Sequence, residues 1–306
     1  MIITVGDLVT DVLAVLRAPL APASDTPATV QMSGGGQAAN TAAWLAWLGR
    51  PVTFVGAVGD DQAGQDRLAE LRSAGVHTRV SVQRGASTGA IVVLTHDDER
   101  TMISDRGANL LLSASDVDAA VAAAGATNLH LSGYTLLDGP SRSAGQSALA
   151  SARSAGLRTS VDAASAAPLL DNPGFLQWVH NVDLLIANAD EAQALVGKAD
   201  PSTLASRLAE ATGGEAVVKL GREGAVWAGP AGVTHVALEP VHVVDATGAG
   251  DAFAAGLLAA WSAGADPRAA LVQGCRLGAY VVGIVGARPS LPGQPPPDAS
   301  PGPRAA

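Results

Sequence analysis

Short β-branched runs alternate with Ala/Leu-rich stretches along most of this chain, and that alternation constrains its fold more than any other feature. The runs are IITV (2–5), VTFVGA (52–57), NLHLS (128–132), LRTSV (157–161), DLLIA (183–187), AVVKL (216–220) and AVWA (225–228). Between them, helical segments are predicted over 37–48, 62–73, 115–123, 141–155, 190–196 and 202–211. Strand and helix in regular alternation imply an α/β fold with a mostly parallel central sheet and helices on both faces. Residues 12–32 and 77–105 break the pattern. They carry turn signals (APLAPAS, QRGAST, HDDER) without a helical period, and are expected to pair into a small β-sheet that acts as a lid over a site.

Composition narrows the partners. At 306 residues and 48% hydrophobic content the chain can bury a large core, as one big domain or two smaller ones. A formal charge of -9 with only two lysines, Lys198 and Lys219, argues against a nucleic-acid or anionic-membrane surface. Any phosphate must then be held mainly by backbone, arginine or metal. Cys275 is the single cysteine, so no disulfide framework or thiolate cage can form, which fits the reducing cytoplasm. The N-terminus lacks a basic n-region, and Asp7 and Asp11 interrupt its apolar part, so it reads as a first strand rather than a signal peptide. No apolar run reaches the roughly 18 residues of a membrane span. The six histidines show no H-E-x-x-H spacing and no serine sits in a G-x-S-x-G elbow, which leaves zinc and serine-nucleophile chemistry without support. From Arg288 on, RPSLPGQPPPDASPGPRAA is too proline-rich to continue a helix and is expected to trail over the surface, at least beyond Gly293.

Four stretches carry chemistry. In VHVVDATGAGDAFAAGLLAAW, VHVVD is expected to end a strand, TGAG to turn, and the run 252–261 to form a helix whose first N-H groups need partners. Such an end is an anion site, and Gly248 and Gly250 let an anion approach the backbone closely. Asp251 is then either a favourable charge in the first helical turn or a base that orients a hydroxyl towards a phosphoryl group held by the turn. In SGGGQAANTAAWLAWLG the triple glycine precedes a helix, and Asn40 can both donate and accept, as a polyol requires; a flexible loop before a helix explains the same residues. In LIANADEAQAL, Asn188 and Glu191 share a face at a strand's end and suit hydrated Mg2+, or Asn188 simply caps the helix. Gly221 and Gly224 in VVKLGREGAVW mark either a nucleotide-binding edge or an ordinary hairpin.

In this order the stretches resemble the ribokinase (PfkB) family of carbohydrate kinases, from VGDLVTDV through SGGGQAAN, VGAVGDDQAG, RGAN, LSGY, NADE, KLGREGA and DATGAGD to GARPSLP. The resemblance implies a ribokinase-like kinase domain over 1–293, with a Pro-rich tail over 294–306. It implies Asp251 as catalytic base, with Gly248, Ala249 and Gly250 forming the anion hole. The acceptor would be held by Asp11, Gly35, Gly36, Gln37 and Asn40. ATP would lie along Asn188, Lys219, Gly221, Gly224, Thr247 and Cys275, with Mg2+ near Glu191, held through water. A K+ ion would sit near Asp245, Thr247 and Ser290. The chain departs from the family at Val9, where some ribokinases place asparagine, at Gln37, where ribokinases and several sugar-phosphate kinases carry lysine, and at Cys275, where many relatives have asparagine.

The lid segments 12–32 and 77–105 contain no Phe, Tyr or Trp to stack on a base, so a free sugar or sugar acid is expected rather than a nucleoside. Arg106 in SDRGAN resembles an arginine of fructokinase-like and ketodeoxygluconate-kinase-like members that reaches a carboxylate or hydroxyls; a surface salt bridge is the alternative. The expectation is an ATP-dependent kinase of a sugar hydroxyl. The alternatives are a nucleoside kinase of adenosine or pseudouridine type and a sugar-binding sensor without catalysis. A homodimer through the exposed lid is also expected.

Overall fold

In the computed structural model, which describes residues 1–96, 99–238, 241–284 and 286–289, the apolar runs lie side by side in one nine-stranded sheet. The first half of the chain forms β1 (Ile2–Val5), β2 (Val9–Leu16), β3 (Ala28–Gly35), α1 (Gln37–Trp47), β4 (Val52–Gly59), α2 (Gln62–Ser73), β5 (His77–Gln83), β6 (Gly89–His96), β7 (Glu99–Asp105), α3 (Ala114–Ala124) and β8 (Asn128–Ser132). The second half forms α4 (Tyr134–Leu137), α5 (Arg142–Ser154), β9 (Arg158–Asp162), α6 (Ala166–Leu170), α7 (Phe175–Trp178), β10 (Leu184–Asn188), α8 (Ala189–Val196), α9 (Pro201–Thr212), β11 (Glu215–Lys219), β12 (Ala225–Gly229), β13 (Gly232–Val236), α10 (Ala249–Trp261) and α11 (Pro267–Val281).

The sheet order is β13-β12-β11-β10-β9-β8-β1-β4-β5, parallel from β11 to β5 and antiparallel at β12 and β13. Side chains alternate between two apolar layers because successive residues of a strand point to opposite faces. In β4, Phe54 and Val58 pack in the layer with α1, α10 and α11, while Val55 and Ala57 face the layer that holds α3, α5 and α9. Parallel strands present their C-terminal ends to one edge, where α/β sheets bind ligands. Ser132, Asp162, Asn188 and Lys219 end β8, β9, β10 and β11 there, with Ser132 opposite Asp162 and Asn188 opposite Lys219.

The lid is a four-stranded sheet of order β3-β2-β6-β7, rooted next to that edge. Its borders differ from the sequence-based expectation. It reaches from Val9 to Gly35 rather than over 12–32, and β5, expected within it, pairs in parallel with β4 from Thr53↔His77 to Gly59↔Gln83. An extended segment without a helical period does not reveal which sheet it joins. VHVVD forms no strand over its described residues 241–245; instead the Val244 and Asp245 N-H groups both donate to the Val282 carbonyl. The strand lies earlier, at β13. Arg288, read as the start of a surface tail, has a side chain only 13% exposed, and the tail over 294–306 lies outside the described residues. Among the described residues no helix is long and apolar enough to cross a membrane.

α10 packs against α11 through glycines. A Cβ on Gly256 would stand 2.6 Å from the Gln273 carbonyl oxygen and 3.2 Å from the Gly274 Cα. Helix propensity alone favours alanine at such a position by about 1 kcal/mol, whereas overpacking costs about 1–3 kcal/mol. Gly256→Ala is therefore expected to destabilise the protein. A urea midpoint at or above that of the unaltered chain would show that α10 and α11 are not held this closely.

Candidate active site

The turn before α10 is fixed from both sides. Asp245 Oδ1 accepts the Thr247 N-H at 2.9 Å and Oδ2 accepts the Gly286 N-H at 3.0 Å, which ties the loop to the segment after α11. Gly248 has φ 74°, and a Cβ there would lie 2.6 Å from the Ala287 Cα, so the turn requires glycine in both conformation and space. The helix then starts at Ala249, leaving the first-turn N-H groups of Gly250 and Asp251 without intrahelical partners at its positive end.

Asp251 stands in that first turn. Its Oδ2 accepts a hydrogen bond from Asn40 Nδ2 at 2.8 Å. Burial pushes the Asp251 carboxyl up to about 8, against the lowering effect of the Asn40 bond, and the nearby Asp162 charge adds to the rise. Asn40 is itself oriented: its Oδ1 accepts from Arg288 Nε at 2.8 Å, and Arg288 Nη2 donates to the Gly35 carbonyl at 2.7 Å. Burial also draws the Arg288 guanidinium down to about 10. Arg288 thus decides which end of the Asn40 amide faces Asp251. Sequence reasoning missed it because a proline-rich context reads as tail.

The other residues expected from the sequence to hold an acceptor gather around the same helix start. Gly36 has φ 106°, and a Cβ on it would strike the Asp7 backbone. The Asp11 carboxylate occupies the space a Cβ on Gly35 would need. The Gln37 N-H donates to Asp7 Oδ2 at 3.1 Å, and its side-chain Oε1 accepts from Ser132 Oγ at 2.6 Å. Arg106 is neither exposed nor free. Its Nε donates to Asp138 Oδ2 at 3.1 Å, its Nη1 lies 3.9 Å from Asp7 Oδ2, and its guanidinium carbon sits 4.3 Å from the centre of the Tyr134 ring. Asp7, Ser132 and Asp138 were not singled out from the sequence.

On the far side of Asp251 lies a cleft of about 700 Å³ lined by Asn188, Glu191, Lys219, Gly221, Gly224 and Cys275, among others. A cavity of about 830 Å³ between α1, α2 and residues 286–289 is larger, but Asp251, Lys219 and Glu191 line the smaller one. The capping explanation for Asn188 holds in full. Its Oδ1 accepts the Glu191 N-H at 2.9 Å, while the Glu191 carboxylate accepts from the Asn188 N-H at 2.7 Å and from Nδ2 at 2.6 Å. This locks a buried carboxylate beside the cleft, and burial raises it to about 7 although Lys219 opposes the rise. Lys219 Nζ binds both oxygens of Asp162 at 2.9 and 3.0 Å and points towards the α10 turn, where a Cβ on Gly250 would be 3.5 Å away. Burial works against the Lys219 charge, but Asp162 and Glu191 outweigh it and keep the ammonium protonated. Asp162 was findable by the logic that flagged Asn188, since both end parallel strands. The buried Cys275 thiol is pushed up to about 11 by burial, which makes it an inert wall of the cleft. Gly221 and Gly224 flank the short turn between β11 and β12, and Ser290 lies outside the described residues.

The buried acid has a consequence for stability. An unfolded aspartate titrates near 3.8, and the folded Asp251 near 8, so between these values the folded state holds the extra proton and stability falls as pH rises. Asp251→Asn lacks this slope. Its melting temperature relative to the unaltered chain, measured without nucleotide, is expected to rise from pH 5 to pH 8; a constant difference would refute the buried acid.

Comparison with known proteins places the chain in a family and a fold. Residues 1–294 match the pfkB family carbohydrate kinases. The chain is 31% identical over 271 residues to a 2-dehydro-3-deoxygluconokinase of Thermoproteus tenax, covering 84% of this chain and 82% of that one. It is 33% identical over 279 residues to a fructokinase of Salmonella typhimurium, covering 85% and 89%. The fold matches the adenosine kinase of Sinorhizobium meliloti with a TM-score of 0.86 at 28% identity, over 95% of this chain and 96% of that one. With its family match over nearly the whole chain and relatives above 30% identity, the chain belongs to the pfkB family of carbohydrate kinases.

Proposed function

We propose that the chain transfers the γ-phosphoryl group of ATP to a hydroxyl of a free sugar or sugar acid, with Asp251 as general base. One observation carries the reading: Asp251 is hydrogen-bonded to Asn40 of the acceptor loop, lines the nucleotide-sized cleft, and sits in the first turn of α10. A hydroxyl beside Asp251 would give up its proton as its oxygen meets phosphorus. Phosphoryl transfer runs through a loose transition state, so holding the two oxygens in line matters more than base strength. The first N-H groups of α10 face charge that develops on the migrating group, and the Lys219 ammonium, held by Asp162, stands beside them. The lid would exclude water, keeping the phosphoryl group for the acceptor.

Mg2+ fits the cleft as an ion held largely by phosphates and water, because Glu191 is a buried carboxylate whose charge burial disfavours and a cation would restore. When bound, it would supply charge neutralisation at the phosphates. The K+ proposal rests on Asp245 and Thr247, although both Asp245 oxygens already serve backbone amides. An ATP-dependent reaction and a single buried thiol support the cytoplasm as the place of action.

The names of the relatives divide between a sugar acid and a neutral ketose, and the adenosine kinase adds a nucleoside. The absence of Phe, Tyr and Trp from 12–32 and 77–105 speaks against the nucleoside. Asp251→Asn is expected to lower kcat about a hundredfold or more while acceptor and ATP still bind. In the unaltered enzyme kcat/KM should rise with pH and level off near the Asp251 value of about 8. Binding without any ADP release by the unaltered chain would favour the sensor reading instead.

The lid also supports a homodimer. Register places Met32, Val12, Val92 and Ile103 across one face of it, with Val30, Ala14 and Leu94 one row further on. Met32 is 72% exposed, Val30 58% and Ile103 57%, an apolar sheet face of the kind that pairs with a second copy. Sedimentation at micromolar concentration should give a dimer, and Met32→Asp a monomer; a monomeric unaltered chain would remove the proposal.

A further inference from the structure

We infer that Asp138 is a built-in anion that occupies Arg106 and thereby sets the acceptor site for an uncharged polyol. The inference rests on the kinase reading for where the acceptor lies, and deepens it by fixing the acceptor's charge.

Arg106 is the cation beside the acceptor loop, joined to it through Asp7, whose Oδ2 receives the Gln37 N-H at 3.1 Å. Its charge already has internal partners. Asp138 takes its Nε at 3.1 Å, Asp7 lies 3.9 Å from Nη1, and the Tyr134 ring covers a face. An incoming carboxylate or phosphate would meet a guanidinium whose charge Asp138 and Asp7 already offset, and would bring a further negative charge towards Asp7, Asp11 and Asp138. Arg288 offers no substitute: it binds Asn40 and the Gly35 carbonyl, and its Nη1 lies 3.5 Å from Glu70. Lys219 is tied to Asp162 on the nucleotide side. Gln37 is neutral, and its side-chain oxygen is taken by Ser132. Each of these cations, among the described residues, therefore has an internal carboxylate. A hydroxyl faces no such repulsion, since it donates to carboxylates and accepts from Asn40 or Arg106 without adding charge. Asp138 is the adjustable member of the set: its side chain is 33% exposed while Asp7 is 3% exposed, so removing the Asp138 charge alters the pair at its open end.

The test is calorimetric titration of the intact chain, with and without a non-hydrolysable ATP analogue. The neutral probes are fructose and ribose, and the anionic probes are 2-dehydro-3-deoxygluconate and ribose 1-phosphate. A neutral sugar is expected to bind at least about tenfold more tightly than either anion. Asp138→Asn should shift the ratio of the two classes about tenfold or more towards the carboxylate, and adding Arg106→Ala should abolish the shift. An anion that binds the unaltered chain as tightly as the best neutral sugar overturns the inference. So does the absence of neutral-sugar binding, or a folded Asp138→Asn protein with an unchanged ratio. If Asp138→Asn does not fold, the preference of the unaltered chain decides. ADP release is assayed separately: the expected preference without turnover supports this inference and removes the kinase reading.

Discussion

Asp251 is an acid buried in the first turn of α10, at the positive end of the helix, and the side chains around it are arranged about that burial. A carboxyl taken out of water resists ionisation, and among the described residues Asn40 donates to Asp251 and the Lys219 charge lies nearby to offset the loss. Asn40 can donate to Asp251 only if its oxygen faces the other way, and Arg288 holds it so. Asp245 binds the turn before α10 to the segment that brings Arg288 into place, while Trp44 Nε1 donates to the Ala287 carbonyl from α1 at 2.9 Å. Three segments distant in sequence therefore meet at one carboxylate. The resulting group is a stronger base than an exposed aspartate, at a cost in stability near neutral pH.

Charge is divided around this acid. In the cleft, Lys219 is held by Asp162 at the end of a parallel strand, and Glu191 is fixed by its capping partner Asn188. Beside the glycine-rich loop, Arg106 is held between Asp138 and Asp7. Both cations are shielded by internal carboxylates, yet Lys219 also faces the amide turn where phosphate would be drawn, whereas Arg106 is covered by the Tyr134 ring. Two buried ion pairs of similar composition thus point to different tasks because their open faces differ.

Much of the core could be read along the chain, since β4 and β10 are almost purely apolar and the helices between strands carry their own period and caps. β5 could not be assigned to a sheet, because His77, Thr78 and Arg79 look like lid residues until β4 pairs with them. VHVVD has the β propensity of a strand, but Val241 and Val243 line the cleft, and the Val244 and Asp245 N-H groups bond to Val282 at the end of α11 rather than to a strand. Of the site, the residues on glycine turns and strand ends were legible: Gly248, Asn40, Asn188 and Asp251 stand in motifs whose spacing reflects backbone geometry. Arg288 and Asp138 were not, because each acts through a partner far away in sequence.

The sequence by itself determined the alternation of strand and helix, the glycine positions where only a missing side chain fits, and an acid at the start of an apolar helix. These are local properties, set by backbone torsions and hydrogen-bonding needs within a few residues. Only the tertiary structure decided which strand joins which sheet, which way the Asn40 amide points, and whether Arg106 is free to meet a charged acceptor. Those outcomes depend on burial and on electrostatic partners 30 to 250 residues away, as the Arg106–Asp138 and Asn40–Arg288 separations of 32 and 248 illustrate.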